Sequence, residues 1–229
     1  VKLIGGHAGI TTGEDGATHQ ALEDIATMRV LPNMTVIVPA DQEESRQATH
    51  AISKHVGPCY LRVGKFKTPI ITSNHEEPFK IGKARILRKG SDVTIITCGN
   101  LVHIALEVAE KLCQGKNGEP DICVEVINLH TIKPIDTKAI LSSLEKTHAL
   151  ITFEEHQVHG GLGSAVLEVV ATQNPELLAA PAITMGIKDT FGQSGKDQEL
   201  LKHYNLDHDS LEKAIKKVVS LKQKKNYER

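Results

Sequence analysis

Residues 34–64, MTVIVPADQEESRQATHAISKHVGPCYLRVG, decide the fold class of this chain. The run MTVIVPA is short, continuous and apolar, which is typical of a strand buried on both faces of a parallel sheet. Asp41 and Glu44 then form a capping-box pattern ahead of a helix, QEESRQATHAISKHV, and CYLRVG indicates a second strand. Strand, helix and strand in this order predict a right-handed crossover in a parallel sheet, and hence an α/β fold.

The alternation continues in both directions from this stretch. Upstream, VKLIGG predicts a strand that enters a glycine-rich loop, and THQALEDIATMRVL predicts a helix starting near residue 15. Downstream, further helices and strands are predicted at about 101–114, 122–128, 136–146, 149–155, 162–173 and 182–187. We predict a partial domain with a parallel sheet over residues 1–68, a linker over 69–83, and a second α/β domain with a mainly parallel sheet over 84–229.

The composition excludes several classes of protein. Hydrophobic residues make up 40% of the chain and charged residues 24%, which suits a globular protein with a buried core. Lys plus Arg number 27 against 28 Asp plus Glu, so the balance argues against a general nucleic-acid or membrane surface. The four cysteines lack a C-x-x-C spacing and are expected to be reduced thiols, which fits a cytoplasmic protein.

A second stretch, HAGITTGEDGATHQALEDIA at residues 7–26, collects the side chains best suited to a ligand. His7, Asp15 and His19 stand among glycines, which let a backbone approach a ligand closely. A helix starting near residue 15 would put Asp15 and His19 on one face of its first turn, beside N–H groups that favour an anionic or hydroxyl-rich ligand. Two alternatives stay open: a helix cap with surface histidines, and a zinc site, although the spacing matches no standard zinc motif.

Two further features follow predicted strands. Arg62 ends one strand at the edge where open α/β sheets bind ligands, and an arginine there suits a phosphate, with a surface ion pair as the alternative. The segment Glu154–His159 offers carboxylates and imidazoles for acid–base chemistry, but we expect a structural or interface role. Residues 189–197, DTFGQSGKD, are expected to form a turn between a strand and a helix.

The order of these motifs resembles the transketolase family. GEDGATHQ at residues 13–20 is followed by PNM at 32–34 and PAD at 39–41, as in the pyrimidine-binding domain of that family. The second half, with GSDVTIITCGN, a strand ending in EEH and a late FGQSG, looks like the transketolase C-terminal domain. The likeness covers nearly all 229 residues, and ALEDIA resembles the C-terminal subunit of split transketolases, whose catalytic unit is divided between two chains.

The resemblance implies a function and roles for particular residues. Members of the family use thiamine diphosphate to move a two-carbon ketol unit from a ketose phosphate to an aldose phosphate, in the pentose phosphate pathway. By resemblance, Asp15 hydrogen-bonds the C2 hydroxyl of the acceptor and His19 lies near the reacting hydroxyl and carbonyl, which makes both candidate catalytic residues. His7 and Arg62 are implied to bind the substrate at its phosphate.

The same resemblance shows what the sequence lacks. The family's glutamate that protonates the aminopyrimidine ring, the aromatic residue that stacks on that ring, and the GDG-type motif that holds the diphosphate through magnesium have no counterpart here. We therefore expect a truncated chain, thiamine diphosphate and magnesium bound mainly by regions absent from it, and an N-terminal transketolase half or subunit as partner. A homodimer is also expected, because a partial domain leaves sheet edges uncovered.

Three other functions remain open from the residues alone. The β subunit of a 2-oxo acid dehydrogenase and a deoxyxylulose-phosphate synthase are built from similar domains. A non-catalytic dimerisation or regulatory module would also explain the missing cofactor motifs.

Overall fold

A computed structural model describes residues 1–73, 78–114 and 121–227 of the chain. The strands are β1 (Lys2–Gly5), β2 (Thr35–Ile37), β3 (Cys59–Arg62), β4 (Arg85–Arg88), β5 (Val93–Thr97), β6 (Val124–Asn128), β7 (Thr131–Lys133), β8 (Leu150–Gln157) and β9 (Ala182–Ile187). The α-helices are α1 (Asp24–Arg29), α2 (Gln42–Lys54), α3 (Val102–Cys113), α4 (Thr137–Thr147), α5 (Leu162–Gln173), α6 (Asp197–His203) and α7 (His208–Tyr227). The α/β fold class is confirmed.

The first sheet has four strands in the order β1-β3-β2-β7. Strands β1, β3 and β2 are parallel, as the crossover through α2 requires, and β7 pairs with β2 in the antiparallel sense. The predicted cap of α2 is present: the Asp41 carboxylate accepts from the N–H of Glu44 at 2.8 Å, and the Glu44 carboxylate accepts from the N–H of Ala40 at 2.8 Å. The short strand β7 was not anticipated from the sequence.

The second sheet has five strands in the order β4-β6-β5-β8-β9. Only β4 is antiparallel to its neighbour, so the expected mainly parallel arrangement is confirmed. The runs β5, β6 and β8 are almost continuously buried, which explains their apolar sequences. Helices packed on both faces bury an aliphatic core in which Phe153 is the largest fully buried side chain.

The two sheets share one hydrophobic cluster. Val36 and Tyr60 of the first sheet pack with Ile127 and Leu129 from the second half of the chain. Strand β7 also lies in the first sheet although it belongs to the second half in sequence. The division into 1–68, 69–83 and 84–229 therefore stays a prediction, and the first sheet is not built from residues 1–68 alone.

The expected helix start near residue 15 is wrong. Residues Ile10–Asp15 form a 3-10 helix interrupted at Gly13, whose φ of 80° and ψ of −127° are not helical, and Gly16 follows with φ of 74°. Positive φ is accessible to glycine at no steric cost, so the chain turns twice here. The α-helix α1 begins only at Asp24.

Other expectations concern the cysteines and the membrane. All four cysteines are free thiols; Cys59 and Cys98 are buried, whereas Cys113 and Cys123 are half-buried. Within the described ranges, every helix is too short or too polar to span a lipid bilayer.

Candidate functional site

The predicted ligand-binding side chains lie on a tight loop between β1 and α1. His7 has a left-handed φ of 59°, and Gly9, Gly13 and Gly16 have φ between 74° and 82°. The loop is closed by backbone bonds, in which the N–H of Ala21 donates to the carbonyl of His7 at 3.0 Å. Glycines at positive φ, with ψ far from the left-handed helical value, let the loop fold back on itself and bring His7, Asp15 and His19 side by side.

His7, Asp15 and His19 converge at the surface of this loop, together with Lys65. The Asp15 Oδ2 atom lies 2.6 Å from Lys65 Nζ and 3.8 Å from His7 Nε2. The imidazole rings of His7 and His19 lie 6.0 Å apart between centroids. His7 and Lys65 side chains are 50% exposed and Asp15 is 32% exposed, so all of them are open to a ligand from solution.

The ammonium of Lys65 controls the ionisation of Asp15. The hydrogen bond from Lys65 holds the pKa of this carboxyl below its ordinary value; burial opposes this, and the charges of Lys65, His19 and His7 assist it. Asp15 is therefore an ionised acceptor at neutral pH. His19 Nδ1 is 2.9 Å from the hydroxyl of Thr18, which orients the ring and leaves Nε2 free of any contact to this hydroxyl.

A groove of about 480 Å³ runs beside this cluster. Its cations are Lys65, Lys67 and Lys196, and its carboxylates are Glu14, Asp15 and Asp197. Thr11, Thr12 and Phe66 line the remainder. A volume of this order accommodates a small polar metabolite, and the mixture of charges suits a ligand with both hydroxyl and anionic groups.

The second half of the chain builds one wall of the groove. The loop after β9 approaches closely: the Ser194 hydroxyl donates to the carbonyl of Glu14 at 2.6 Å. A Cβ atom placed on Gly13 would lie only 2.6 Å from Asp197 Oδ1. Residues 188–196 do form the expected connection between β9 and α6, but they also contact the ligand-binding loop. The groove therefore depends on both halves of the chain.

Arg62 does not join this cluster, contrary to the expectation from sequence. Its guanidinium is buried, with Nε 2.7 Å from Asp24 Oδ2, and one of its terminal nitrogens donates to the carbonyls of Ala21 and Glu155 at 2.8 and 2.9 Å. Burial would raise the pKa of Asp24, but the charge and hydrogen bond of Arg62 and the hydroxyl of Tyr60 outweigh it and lower that pKa. The arrangement is a buried ion pair that ties β3 to α1 and β8.

The Glu154–His159 segment holds the structure together, in line with its expected role. Glu154 accepts from the N–H groups of Leu162 and Gly163 at 2.7 and 2.8 Å, which caps the N-terminus of α5. Burial raises the pKa of Glu154 to about 7 even though these two bonds oppose the shift. Glu155 accepts from the N–H of Thr11 at 2.8 Å and so fixes the ligand-binding loop on the second sheet.

Sequence reasoning did not single out Lys65, the cation that contacts Asp15. Lys65 lies in VGKFK, three residues after Arg62, where the chain has already left β3. The signal available was its exposed position just beyond the carboxyl edge of a parallel sheet, the same criterion that drew attention to Arg62.

Metal ligation has no support in the described part of the chain. No cluster of three His, Cys, Asp or Glu side chains there is arranged to hold a metal ion, and this includes His7, Asp15 and His19.

Two family models match the chain. Residues 1–69 match the transketolase pyrimidine-binding domain, and residues 82–211 match the transketolase C-terminal domain. A protein of Methanocaldococcus jannaschii described as a transketolase C-terminal section is 45% identical, covering 94% of this chain and 65% of its own length. The 6-deoxy-6-sulfo-D-fructose transketolase subunit SqwH of a Clostridium species is 39% identical, covering 97% and 66%. The chain thus spans about two thirds of the length of these relatives.

Longer relatives and solved structures agree with these matches. Mouse transketolase is 35% identical over 96% of this chain but only 34% of its own length. A solved structure described as a split gene transketolase, inactive beta4 tetramer, superimposes with a TM-score of 0.84 at 38% identity, covering 96% of this chain and 67% of that one. A transketolase structure from Campylobacter jejuni, at 23% identity and a TM-score of 0.70, shares the fold.

Proposed function

Because this chain belongs to the transketolase family, we propose that it is the C-terminal portion of a thiamine-diphosphate-dependent enzyme that transfers a two-carbon ketol unit from a ketose phosphate to an aldose phosphate. The single observation that carries the proposal is the convergence of His7, Asp15 and His19, on the loop between β1 and α1, with Lys65, which follows β3. The relatives named above are transketolases, which favours this function over a 2-oxo acid dehydrogenase β subunit or a deoxyxylulose-phosphate synthase.

The chemistry of the cluster suits a phosphorylated sugar. The ionised Asp15 accepts a hydrogen bond from a sugar hydroxyl and so fixes which carbon faces the reaction. His19 lies beside it as a donor or acceptor for a second oxygen, and as a group able to move a proton at that oxygen. Lys65 supplies positive charge for a phosphate, and His7 and Lys65 offer N–H donors to its oxygens.

Arg62 has a positioning role in this proposal. Its ion pair with Asp24 and its hydrogen bond to the Glu155 carbonyl fix the end of β3. They therefore fix the position of Lys65, which lies three residues further along the chain. Lys65, rather than Arg62, supplies the cation that faces the substrate phosphate.

Membership of the family supports a proposal for the cofactor and for the partner. Thiamine diphosphate supplies the carbanion chemistry when bound, and we propose that it and magnesium are held mainly by an N-terminal transketolase half or subunit. The solved split-gene relative is described as an inactive tetramer of its β chain, so we propose that this chain is also inactive alone and self-associates. The homodimer remains a prediction, as do a cytoplasmic location and a place in the pentose phosphate pathway.

The test is ketol transfer from xylulose 5-phosphate to ribose 5-phosphate by this chain with an N-terminal subunit, thiamine diphosphate and magnesium. Asp15→Asn and His19→Ala are expected to lower kcat/KM by about 10²–10⁴-fold, the range for a removed acid–base or orienting group. His50→Ala is the matched control, because His50 is exposed on α2, away from the groove. Unchanged kcat/KM in the Asp15 and His19 variants would refute the assignment.

A further inference from the structure

A second groove lies between strand β9 and helix α7. Strand β9 is the last strand of its sheet, and α7 crosses beside it. The groove holds about 310 Å³ and shares no lining residue with the groove at Asp15. This second groove is therefore separate from the groove to which we assign ketol transfer.

Three lysines line this groove. Lys213 and Lys217 are four residues apart on α7 and so lie on one face of that helix, and Lys188 comes directly after β9. None of these three lysines has an ion-pair partner among the residues that the structure describes, and no carboxylate lines the groove. The neighbouring Lys111 and Lys216 differ, because both are paired with Glu212.

The remaining walls supply neutral donors and a small apolar floor. Ser210, on the first turn of α7, lines the groove and carries a hydroxyl. Tyr204 donates its own hydroxyl to the carbonyl of Phe191 at 3.1 Å, so its ring is held as a wall. Met185 and Ala214 line the apolar part.

Lysine side chains without carboxylate partners around a small groove favour the binding of a compact, multiply charged anion. Like charges repel one another, and an anion bound between them removes that repulsion and gains charge-assisted hydrogen bonds. The volume lies near the lower limit for small-molecule pockets of about 300 Å³, which excludes a large cofactor. The net charge of −1 for the whole chain argues against a nucleic acid as the ligand.

We infer that Lys188, Lys213, Lys217 and Ser210 form a binding site for a small ligand carrying two phosphate-type groups or one phosphate and one further anionic group. The lysine ammonium groups neutralise the anion and the Ser210 hydroxyl donates to one of its oxygens. The site is separate from the substrate groove.

The test uses inorganic pyrophosphate as the probe and the full chain in solution. Amide chemical shifts of Gly186 and Ala214, which lie in the groove, are followed during the titration at constant ionic strength, because a second anion site at Lys65 would not move them. Saturable shifts are expected for the unmodified chain. The double variant Lys213→Ala/Lys217→Ala should bind at least about tenfold more weakly, since both lost cations would have made charge-assisted hydrogen bonds to the anion.

Two control variants make the result decisive. Lys54→Ala/Lys138→Ala removes the same charge from exposed positions on α2 and α4 and is expected to leave the affinity within about twofold. Lys213→Arg/Lys217→Arg keeps the cations and should keep the binding, which separates loss of charge from loss of fold. The inference is overturned if Gly186 and Ala214 show no saturable shift, or if the Lys213/Lys217 alanine variant binds as well as the Lys54/Lys138 control.

Discussion

The ion pair between Arg62 and Asp24 is expected to be a main determinant of stability rather than a ligand site. Replacing Arg62 by methionine leaves the Asp24 carboxylate, 12% exposed, without its cation, and leaves the carbonyls of Ala21 and Glu155 without their donor. Breaking a buried pair by removing one partner costs about 3–5 kcal/mol. At roughly 2–4 °C per kcal/mol for a chain of this size, the midpoint of thermal unfolding should fall by about 6–20 °C.

The assay is urea and thermal unfolding followed by circular dichroism. Arg46→Met is the matched control, because Arg46 makes an exposed i,i+3 pair with Glu43, and solvent screens such a pair so that its loss should change stability little. The double variant Arg62→Met/Asp24→Asn should recover part of the loss, since no uncompensated charge then remains buried. If Arg62→Met unfolds within about 1 kcal/mol of the unmodified protein while losing activity towards phosphorylated sugars, Arg62 is a ligand and our interpretation is wrong.

Two further predictions concern the groove and the buried glutamate. Gly13→Ala should lower the unfolding free energy by about 1–2 kcal/mol, because Gly13 has a φ of 80°. It should also raise KM for the aldose, because the new Cβ atom would lie 2.6 Å from Asp197 Oδ1. Adding Asp197→Ala should restore KM but not stability, and an unchanged KM in Gly13→Ala would contradict this prediction. For Glu154, the folded-state pKa of about 7 lies above the ordinary 4.5, so its stabilising contribution is complete below pH 4.5 and is lost as pH rises to 7. Unfolding free energies from urea melts should therefore fall by roughly 3 kcal/mol relative to Glu154→Gln between pH 4.5 and pH 8, and parallel pH curves for the two proteins would refute the raised pKa.

Periodic elements of the second half could be predicted from sequence almost to the residue. Helix α5 at Leu162–Gln173 and strand β9 at Ala182–Ile187 coincide with the predicted 162–173 and 182–187. Helix α5 follows from its helical hydrophobic periodicity, and β9 from a short apolar run placed after a helix, where an α/β pattern expects a strand. Strand β7 has only three residues and forms by pairing with the edge of β2, a tertiary contact that no local sequence pattern encodes.

Of the cluster, the side chains on the loop between β1 and α1 could be predicted from sequence, whereas the contribution of Lys65 could not. The sequence placed His7, Asp15 and His19 together, and the structure brings them together, although through glycine turns rather than through the first turn of a helix. Arg62 and Lys65 both follow the same strand, and nothing local distinguishes them. The burial of Arg62 depends on Asp24, whose position is set by where α1 begins, and that start was the element that sequence reasoning misplaced.

The most direct test of the account is the preference of the reconstituted enzyme for a phosphorylated acceptor. The ratio of kcat/KM for ribose 5-phosphate to that for ribose is measured with the unmodified chain, with Lys65→Ala, and with Lys54→Ala as the exposed control on α2. We predict that Lys65→Ala lowers this ratio about tenfold or more, through loss of one charge-assisted contact to the phosphate, and that Lys54→Ala leaves it unchanged. An equal ratio for all three proteins would contradict the central claim that the cluster of His7, Asp15, His19 and Lys65 binds a sugar phosphate.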